Sequence, residues 1–289
     1  MQRNARRGGA WTAVAAAVVT VVGASVLGVL SGSGAIGTAE SRSETHATRA
    51  DVSPVPSAAG PSRAPAGPGA GRMSGPGPES PAPERRTPVV SAGIAHASDK
   101  GAHAVNITID DGPDPVWTPR VLKVLRDNGV DAVFCVIGEK AARYPAMVRR
   151  IVAEGHRLCD HSVHHDTTMD HKPRSYQYAE IVDAERMIER ASGGVESLYY
   201  RAPGGAFTPY SRQVAASRGM RPLGWNVDPE DYKRPGAQAL VNAVERELPN
   251  GPTILFHDGG GDRAQTVAAL GTLLPRLREQ GYVFGFPVR

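Results

Sequence analysis

From His103 onward the chain alternates between short apolar runs and longer amphipathic ones, and few folds accept that alternation. The apolar runs are His103–Ile109, Asp131–Ile137, His156–Cys159, Leu198–Tyr200, Pro222–Val227, Thr253–Phe256 and Tyr282–Phe286. Between them lie Thr118–Asn128, Tyr144–Glu154, Ser175–Arg190, Pro209–Arg218, Ala237–Leu248 and Ala264–Gln280, with apolar residues at helical spacing. Gly129, Gly155, Gly193, Gly219 and Gly281 stand near the ends of the amphipathic runs, where a left-handed residue closes a helix. Strands separated by helices imply a parallel sheet with crossover connections. About seven strands in this length suit an α/β fold of the β/α-barrel type, small and closed or incomplete, better than an open sheet.

The first third of the chain reads differently. Ten of the 24 prolines fall between Asp51 and Pro88, mixed with Gly, Ala and Ser. Such a segment buries too little apolar area to offset its ordering entropy, so residues 40–99 are expected to form a disordered linker. Before it, Arg3, Arg6 and Arg7 precede an uncharged stretch from Gly8 to Ala39 with an apolar centre over Ala10–Leu30. That is the pattern of an export segment. It is either a signal cut after Gly37-Thr38-Ala39 or an uncleaved N-terminal membrane anchor, since the centre is near the length that spans a bilayer. Both readings leave residues 100–289 outside the cytoplasm.

The net charge of +4 does not indicate a nucleic-acid partner. Of the 33 Lys and Arg, nine lie in residues 1–98, with five of the 29 Asp and Glu, which leaves 24 of each for the remainder. A nucleic-acid binder needs a basic face on its folded part. The two cysteines, Cys135 and Cys159, lie in apolar strand-like runs and read as buried free thiols, although an exported protein permits them to pair.

Barrel enzymes place their chemistry at the C-terminal ends of strands, and the unusual polar residues of this chain fall there. Asp110-Asp111 follows the first strand, His161 and His165 the third, Arg201 the fourth, Asp228 and Asp231 the fifth, and His257 ends the sixth. Two adjacent carboxylates repel unless a metal or an arginine holds them. Asp111 with His161 and His165, four residues apart, offers three ligands of the kind that bind zinc and leave room for water and substrate. Asp110 is then the candidate general base, with Arg201 as the cation that keeps it ionised. His257 is a candidate proton donor, and Asp231 or Asp228 a carboxylate to orient it. His156 and His164 are read as bystanders.

Five ordered motifs carry a resemblance: Thr108-Ile109-Asp110-Asp111-Gly112, His161-Ser162-Val163-His164-His165, Arg201-Ala202-Pro203-Gly204-Gly205, Asp228-Pro229-Glu230-Asp231-Tyr232 and Leu255-Phe256-His257. Together they resemble the polysaccharide deacetylases, also called the NodB-homology domain or carbohydrate esterase family 4. The resemblance implies a distorted β/α barrel with Asp110 as base, Asp111, His161 and His165 around one divalent metal, usually zinc, and Arg201 orienting the base. It implies His257 as the acid, tuned by Asp231, and Leu255 lining a pocket for the acetyl methyl group. Two positions depart from the family pattern. Gly204 stands where an aromatic residue is usual, keeping an N–H for an oxyanion but losing a wall of the groove. Tyr232 stands where tryptophan is common.

The expected protein is therefore an exported or membrane-tethered deacetylase, acting as a monomer on an N-acetylated polysaccharide. Peptidoglycan comes first as substrate, because the linker reaches away from the membrane. Chitin oligosaccharide and acetylated xylan follow. A cell-wall-binding module without catalysis is the alternative of another class; it should lack the base, a ligand or His257, and none is lacking.

Overall fold

The computed structural model describes residues 90–289. The expected export segment and most of the expected linker lie outside the described residues. Among the described residues no helix is long and apolar enough to cross a membrane. The strands are β1 (Ala104–Asp110), β2 (Ala132–Val136), β3 (Arg157–Asp160), β4 (Tyr199–Tyr200), β5 (Arg221–Pro222), β6 (Thr253–His257) and β7 (Val283–Phe284). They form a parallel sheet in the order β5-β4-β3-β2-β1-β6, and β7 pairs with the start of β1. The helices are α1 (Trp117–Asp127), α2 (Gly138–Arg143), α3 (Pro145–Ala153), α4 (Arg174–Ser192), α5 (Pro209–Ser217), α6 (Ala237–Glu247) and α7 (Ala264–Glu279).

Every residue of β1 is buried, because helices cover one face of the sheet and the curl of the sheet covers the other. Successive side chains point to opposite faces, so the register sorts them. Ile107 and Ile109 lie beside Phe134 on one neighbour and Ile254 and Phe256 on the other. This face packs against Leu122 and Leu125 of α1 and Leu270, Leu273 and Leu277 of α7. Burial of each such side chain is worth about 1.5–3 kcal/mol. The alternate residues, Asn106, Thr108 and Asp110, face the inside of the curl, where a smaller cluster of Val133, Cys135, Cys159, Tyr199 and Leu223 closes the lower part. The polar residues at strand ends sit above that plug.

The chain after β5 leaves the β4 edge and crosses to the far side of the sheet. The N–H groups of Asn226 and Val227 donate to the Thr253 carbonyl at 2.8 and 3.1 Å, and Leu255 N–H donates to Val227 O at 2.9 Å. The expected strand Pro222–Val227 is thus two ladder residues followed by a crossing, with Val227 bridged to Ile254. Gly224 in the middle of that run weakens it as a strand. The result is an incomplete barrel, one of the forms that the alternation allows, and it is distorted as the resemblance implies.

Helix ends follow their local chemistry. Thr208 and Ser211 form a reciprocal capping box at the start of α5, with Pro209 in the first turn. Gly193, with φ 83°, ends α4 in the left-handed region, and the other four glycines expected at helix ends also have positive φ. Helix α2 is absent from the sequence-based expectation. Its six residues, Gly-Glu-Lys-Ala-Ala-Arg, carry no apolar stripe, and packing against α4 holds them, with Gly138 in close approach to Ala184.

Cys135 and Cys159 are directly opposite each other on β2 and β3, with Cα atoms 4.2 Å apart, and form a disulfide. The reading of two free thiols is corrected. Sequence position places each cysteine on a strand but does not reveal that the parallel register sets them face to face. A cross-link closing a loop of this size is worth about 3 kcal/mol in the chain-entropy account. The unfolded, unreduced protein is expected to show no free thiol, and Cys135→Ala with Cys159→Ala to lose about 2–4 kcal/mol in urea unfolding. Two titratable thiols and unchanged stability would contradict the bridge.

Candidate active site

Arg201 follows β4 and is fully buried inside the curl. A buried guanidinium is tolerable only when its donors are satisfied, and here they are. Nη1 donates to Asp110 Oδ1 at 2.6 Å and to Thr108 Oγ1 at 2.9 Å, while Nε and Nη2 donate to the carbonyls of Leu223 and Gly224 at 3.2 and 3.0 Å. Asp110, 2% exposed, therefore keeps one oxygen on the arginine and turns the other toward the cleft, 3.5 Å from His161 Nε2.

The Arg201 main chain also sets a histidine. His161 Nδ1 lies 2.8 Å from the Arg201 carbonyl, which only accepts, so Nδ1 carries the proton and Nε2 offers its lone pair. That Nε2 is 3.5 Å from Asp111 Oδ1, and His165 Nε2 is 3.0 Å from the same oxygen. Asp111 Oδ1 is buried without a hydrogen-bond partner. A buried, unpartnered carboxylate oxygen between two imidazole nitrogens is the donor set that a divalent cation satisfies. The ligand atoms of Asp111, His161 and His165 all lie within 4.8 Å of one another, so the three fit one ion. Burial alone would raise the Asp111 carboxyl, but the two imidazoles beside it hold it well below the usual carboxylate range.

The 160–165 loop that carries both histidines is held from outside the site. Asp160 faces away from the barrel interior, beside Tyr200, and its Oδ1 accepts the Ser162 N–H at 2.8 Å. Glu180 on α4 accepts the N–H groups of Val163 and His164 at 3.1 and 3.0 Å and pairs with His164 Nδ1 at 2.5 Å. Ser162 and His165 have φ of 63° and 59°, and these bonds support that left-handed backbone. His164 is a bystander to the ligand set, as expected, though it packs on the clamp. His156 also stands apart, with its Nδ1 accepting the Ala132 N–H.

On the opposite wall His257 ends β6. Its Nδ1 is 2.5 Å from Asp231 Oδ1, and its own N–H donates to Asp231 Oδ2 at 3.0 Å. Thr266 Oγ1 donates to the same Oδ2 at 2.7 Å. Of the two expected carboxylates the structure selects Asp231; Asp228 instead accepts the Glu230 N–H. Burial lowers the His257 pKa, but the Asp231 hydrogen bond and charge, helped by Asp110 and Asp111, carry it up to about 9. The imidazole thus holds a proton at neutral pH, with Nε2 left for the cleft.

These walls enclose a cleft of about 430 Å³ lined by Asp110, Asp111, His161, His165, Gly204, Tyr232, Leu255 and His257. Arg201 and Asp231 stand behind the residues they hold. Every expected site residue is therefore in the cleft or in direct contact with one that is. Leu255 is 4% exposed, whereas Tyr232 is 46% exposed and stands edge-on to His257 at the rim. Sequence reading missed Trp225 and Thr167 on the lining, the buried Arg263, which donates to the Gly259 carbonyl at 2.6 Å, and Glu180. It also missed Asp258, which is buried, accepts from Thr118 Oγ1 at 2.5 Å, and is pushed up to about 7 by that burial. Only Asp258 had a signal, its place beside His257. Trp225 and Glu180 stood in expected elements without any mark that they reach the site, and Thr167 and Arg263 lie in loops.

A curled parallel sheet that gathers an arginine-held carboxylate, a carboxylate-held imidazole and a possible ligand triad at its strand ends has the layout of a hydrolytic enzyme of the β/α-barrel kind. Comparison with known proteins makes this specific. The polysaccharide deacetylase family model matches residues 97–223. A peptidoglycan-N-acetylglucosamine deacetylase of Bacillus cereus is 37% identical over 185 residues, covering 62% of this chain and 84% of that protein. A chitooligosaccharide deacetylase of Sinorhizobium fredii is 37% identical over 196 residues, covering 64% and 91%. A solved family 4 carbohydrate esterase from Streptomyces lividans, in complex with acetate, aligns with TM-score 0.59 and 33% identity over 66% of this chain and 94% of that one. The chain belongs to the polysaccharide deacetylase family, and it is a deacetylase hydrolase.

The His257–Asp231 pair yields a pH prediction. If His257 must be protonated for turnover, activity falls as pH rises through its pKa, and removing the Asp231 charge lowers that pKa. Asp231→Asn should therefore move the basic limb of the kcat/KM profile to lower pH. His257→Ala should lose about 10²–10⁴-fold on an amide substrate and far less on an activated aryl acetate, whose leaving group needs no proton. Equal losses on both substrates would assign His257 to binding or folding.

Proposed function

We propose that this enzyme removes the N-acetyl group from N-acetylglucosamine units of peptidoglycan, using one divalent ion, zinc, held by Asp111, His161 and His165. The observation that carries this reading is the convergence on one cleft of a carboxylate fixed by Arg201, an unsatisfied ligand triad and an imidazole fixed by Asp231. When bound, the ion supplies Lewis acidity to the acetamide carbonyl and to the attacking water.

The chain's own residues do the rest. Asp110 takes the proton of the attacking water on the oxygen that Arg201 leaves free. The Gly204 N–H donates to the oxygen on which negative charge develops. His257 gives a proton from Nε2 to the departing amine, while Asp231 keeps the ring oriented. Leu255 and Tyr232 flank the methyl group. Acetate and a glucosamine unit leave the cleft.

Peptidoglycan as substrate is supported by the Bacillus cereus relative and by the reach of the expected linker over residues 40–99. The Sinorhizobium fredii relative, equally identical, supports chitin oligosaccharides as a second reading. We place the enzyme outside the cytoplasm, secreted or tethered to the outer face of the membrane. The Cys135–Cys159 bridge supports that placement, since disulfides persist in oxidising compartments.

Acetate release from peptidoglycan, chitin oligomers and acetylated xylan should be greatest on peptidoglycan. It should vanish after chelation and return with zinc. Asp110→Asn should retain the ion and lose most turnover, whereas Asp111→Asn should lose the ion itself, as read by metal analysis. Full activity after exhaustive chelation would refute the metal, and equal metal loss in both variants would refute the division of labour.

A further inference from the structure

The first described residues are not a tail. Ala95 adds to the sheet beside β5: its N–H donates to Pro222 O at 2.8 Å, its carbonyl accepts from Gly224 N–H at 3.0 Å, and it bridges Leu223 in parallel. Side chains alternate along an extended segment, so with Ala95 buried, Ile94 and His96 face the other way. His96 is fixed at two points. Its carbonyl accepts from Thr253 Oγ1 at 2.7 Å, and its Nδ1 lies 3.2 Å from the Trp225 carbonyl. Glycine at 224 permits this approach, because a Cβ there would fall 2.8 Å from Ile94 Cγ2 and collide with the His96 ring.

Ile94 and His96 form one wall of a second cleft, of about 330 Å³, completed by Gly204, Gly205, Phe207 and Trp225. It shares Gly204 and Trp225 with the catalytic cleft. The boundary between the two is low, because Gly204 is exposed and has no side chain to raise it. Its φ of 59° disfavours any other residue there, and a Cβ would press on Thr167 at 3.3 Å. Trp225 packs against Gly205, where a Cβ would meet the indole at 3.0 Å.

The lining specifies the chemistry of the occupant. Trp225, Phe207 and Ile94 present apolar surface, His96 presents a polar edge, and no Asp, Glu, Lys or Arg takes part. A carboxylate, phosphate or peptide ammonium would find no counter-charge. A pyranose ring, with apolar C–H faces and hydroxyls on its rim, matches both halves, and the volume is that of a small-molecule site.

Building on the deacetylase reading above, we infer that this cleft is a sugar subsite, holding the ring next to the one that is deacetylated in the same polysaccharide chain. The N-terminal segment Ile94–His96 thereby sets a preference for longer substrates. It also fixes which ring of an oligomer is placed over Asp110.

The test compares wild type with the Ile94→Ser/His96→Ala double variant of the full chain, on N-acetylglucosamine oligomers of two to six units, peptidoglycan strands and an aryl acetate. Wild-type kcat/KM should rise with oligomer length. The double variant should lose about tenfold on the longer oligomers through KM, keep its rate on the aryl acetate, and change which ring is deacetylated, as read by mass spectrometry. Because long and short substrates are compared on one sample, partial misfolding cannot imitate this pattern. Acetate release with equal losses at every length, or with none, overturns the subsite and leaves the deacetylase reading standing. If wild type deacetylates none of the oligomers or strands, the substrate reading fails instead. Calorimetric Kd values for the oligomers, wild type against double variant, then decide the subsite, and equal values overturn it.

Discussion

The buried pairing of Arg201 with Asp110 is the interaction on which the rest of the site depends. A guanidinium inside the curl ties three parts of the sheet together: Thr108 and Asp110 at the end of β1, the Leu223 and Gly224 carbonyls where the chain leaves β5, and, through its own carbonyl, His161 after β3. Removing one partner of such a pair typically costs about 3–5 kcal/mol, because it strands the other charge. The same contacts that make the arginine tolerable aim two groups on which the proposed chemistry relies, the free oxygen of Asp110 and the Nε2 lone pair of His161. Stability and reactivity are coupled at this point.

Around that pair the site is built from opposites. One carboxylate is held beside a cation on the β1 side, and one imidazole is held beside a carboxylate on the β6 side. A candidate proton acceptor and a candidate proton donor thus line one cleft, as the proposed activation of water and release of an amine require. Asp111, with one oxygen left without a partner, lines the same cleft.

A supporting layer sits behind these groups and contains ionisable side chains of its own. Glu180 and Asp160 hold the histidine loop by its backbone N–H groups, and Arg263 packs under the glycines that follow His257. Gly259 lies so close to the Asp111 carbonyl that a side chain there would collide with it. Each of these residues removes a degree of freedom from a group of the cleft that it holds.

The sequence alone determined the strand–helix alternation, because apolar period and helix-closing glycines are local properties. It also determined which residues stand at strand ends, and hence the candidate catalytic and ligand residues from Asp110 to His257, which the structure gathers around one cleft. Tertiary structure decided what depends on register and on crossing. Parallel pairing set Cys135 opposite Cys159 and bridged them. The chain path after Gly224 turned an expected strand, Pro222–Val227, into a crossing. The geometry of His257 chose Asp231 over Asp228. Helix α2 exists through its contact with α4 rather than through its own pattern, and Glu180 reaches the site from a helix whose sequence gives no hint of it. Ile94–His96, read from composition as linker, became a cleft wall because Gly224 leaves room for it. Local pattern tells which face a side chain takes, and only the assembled sheet tells what stands across from it.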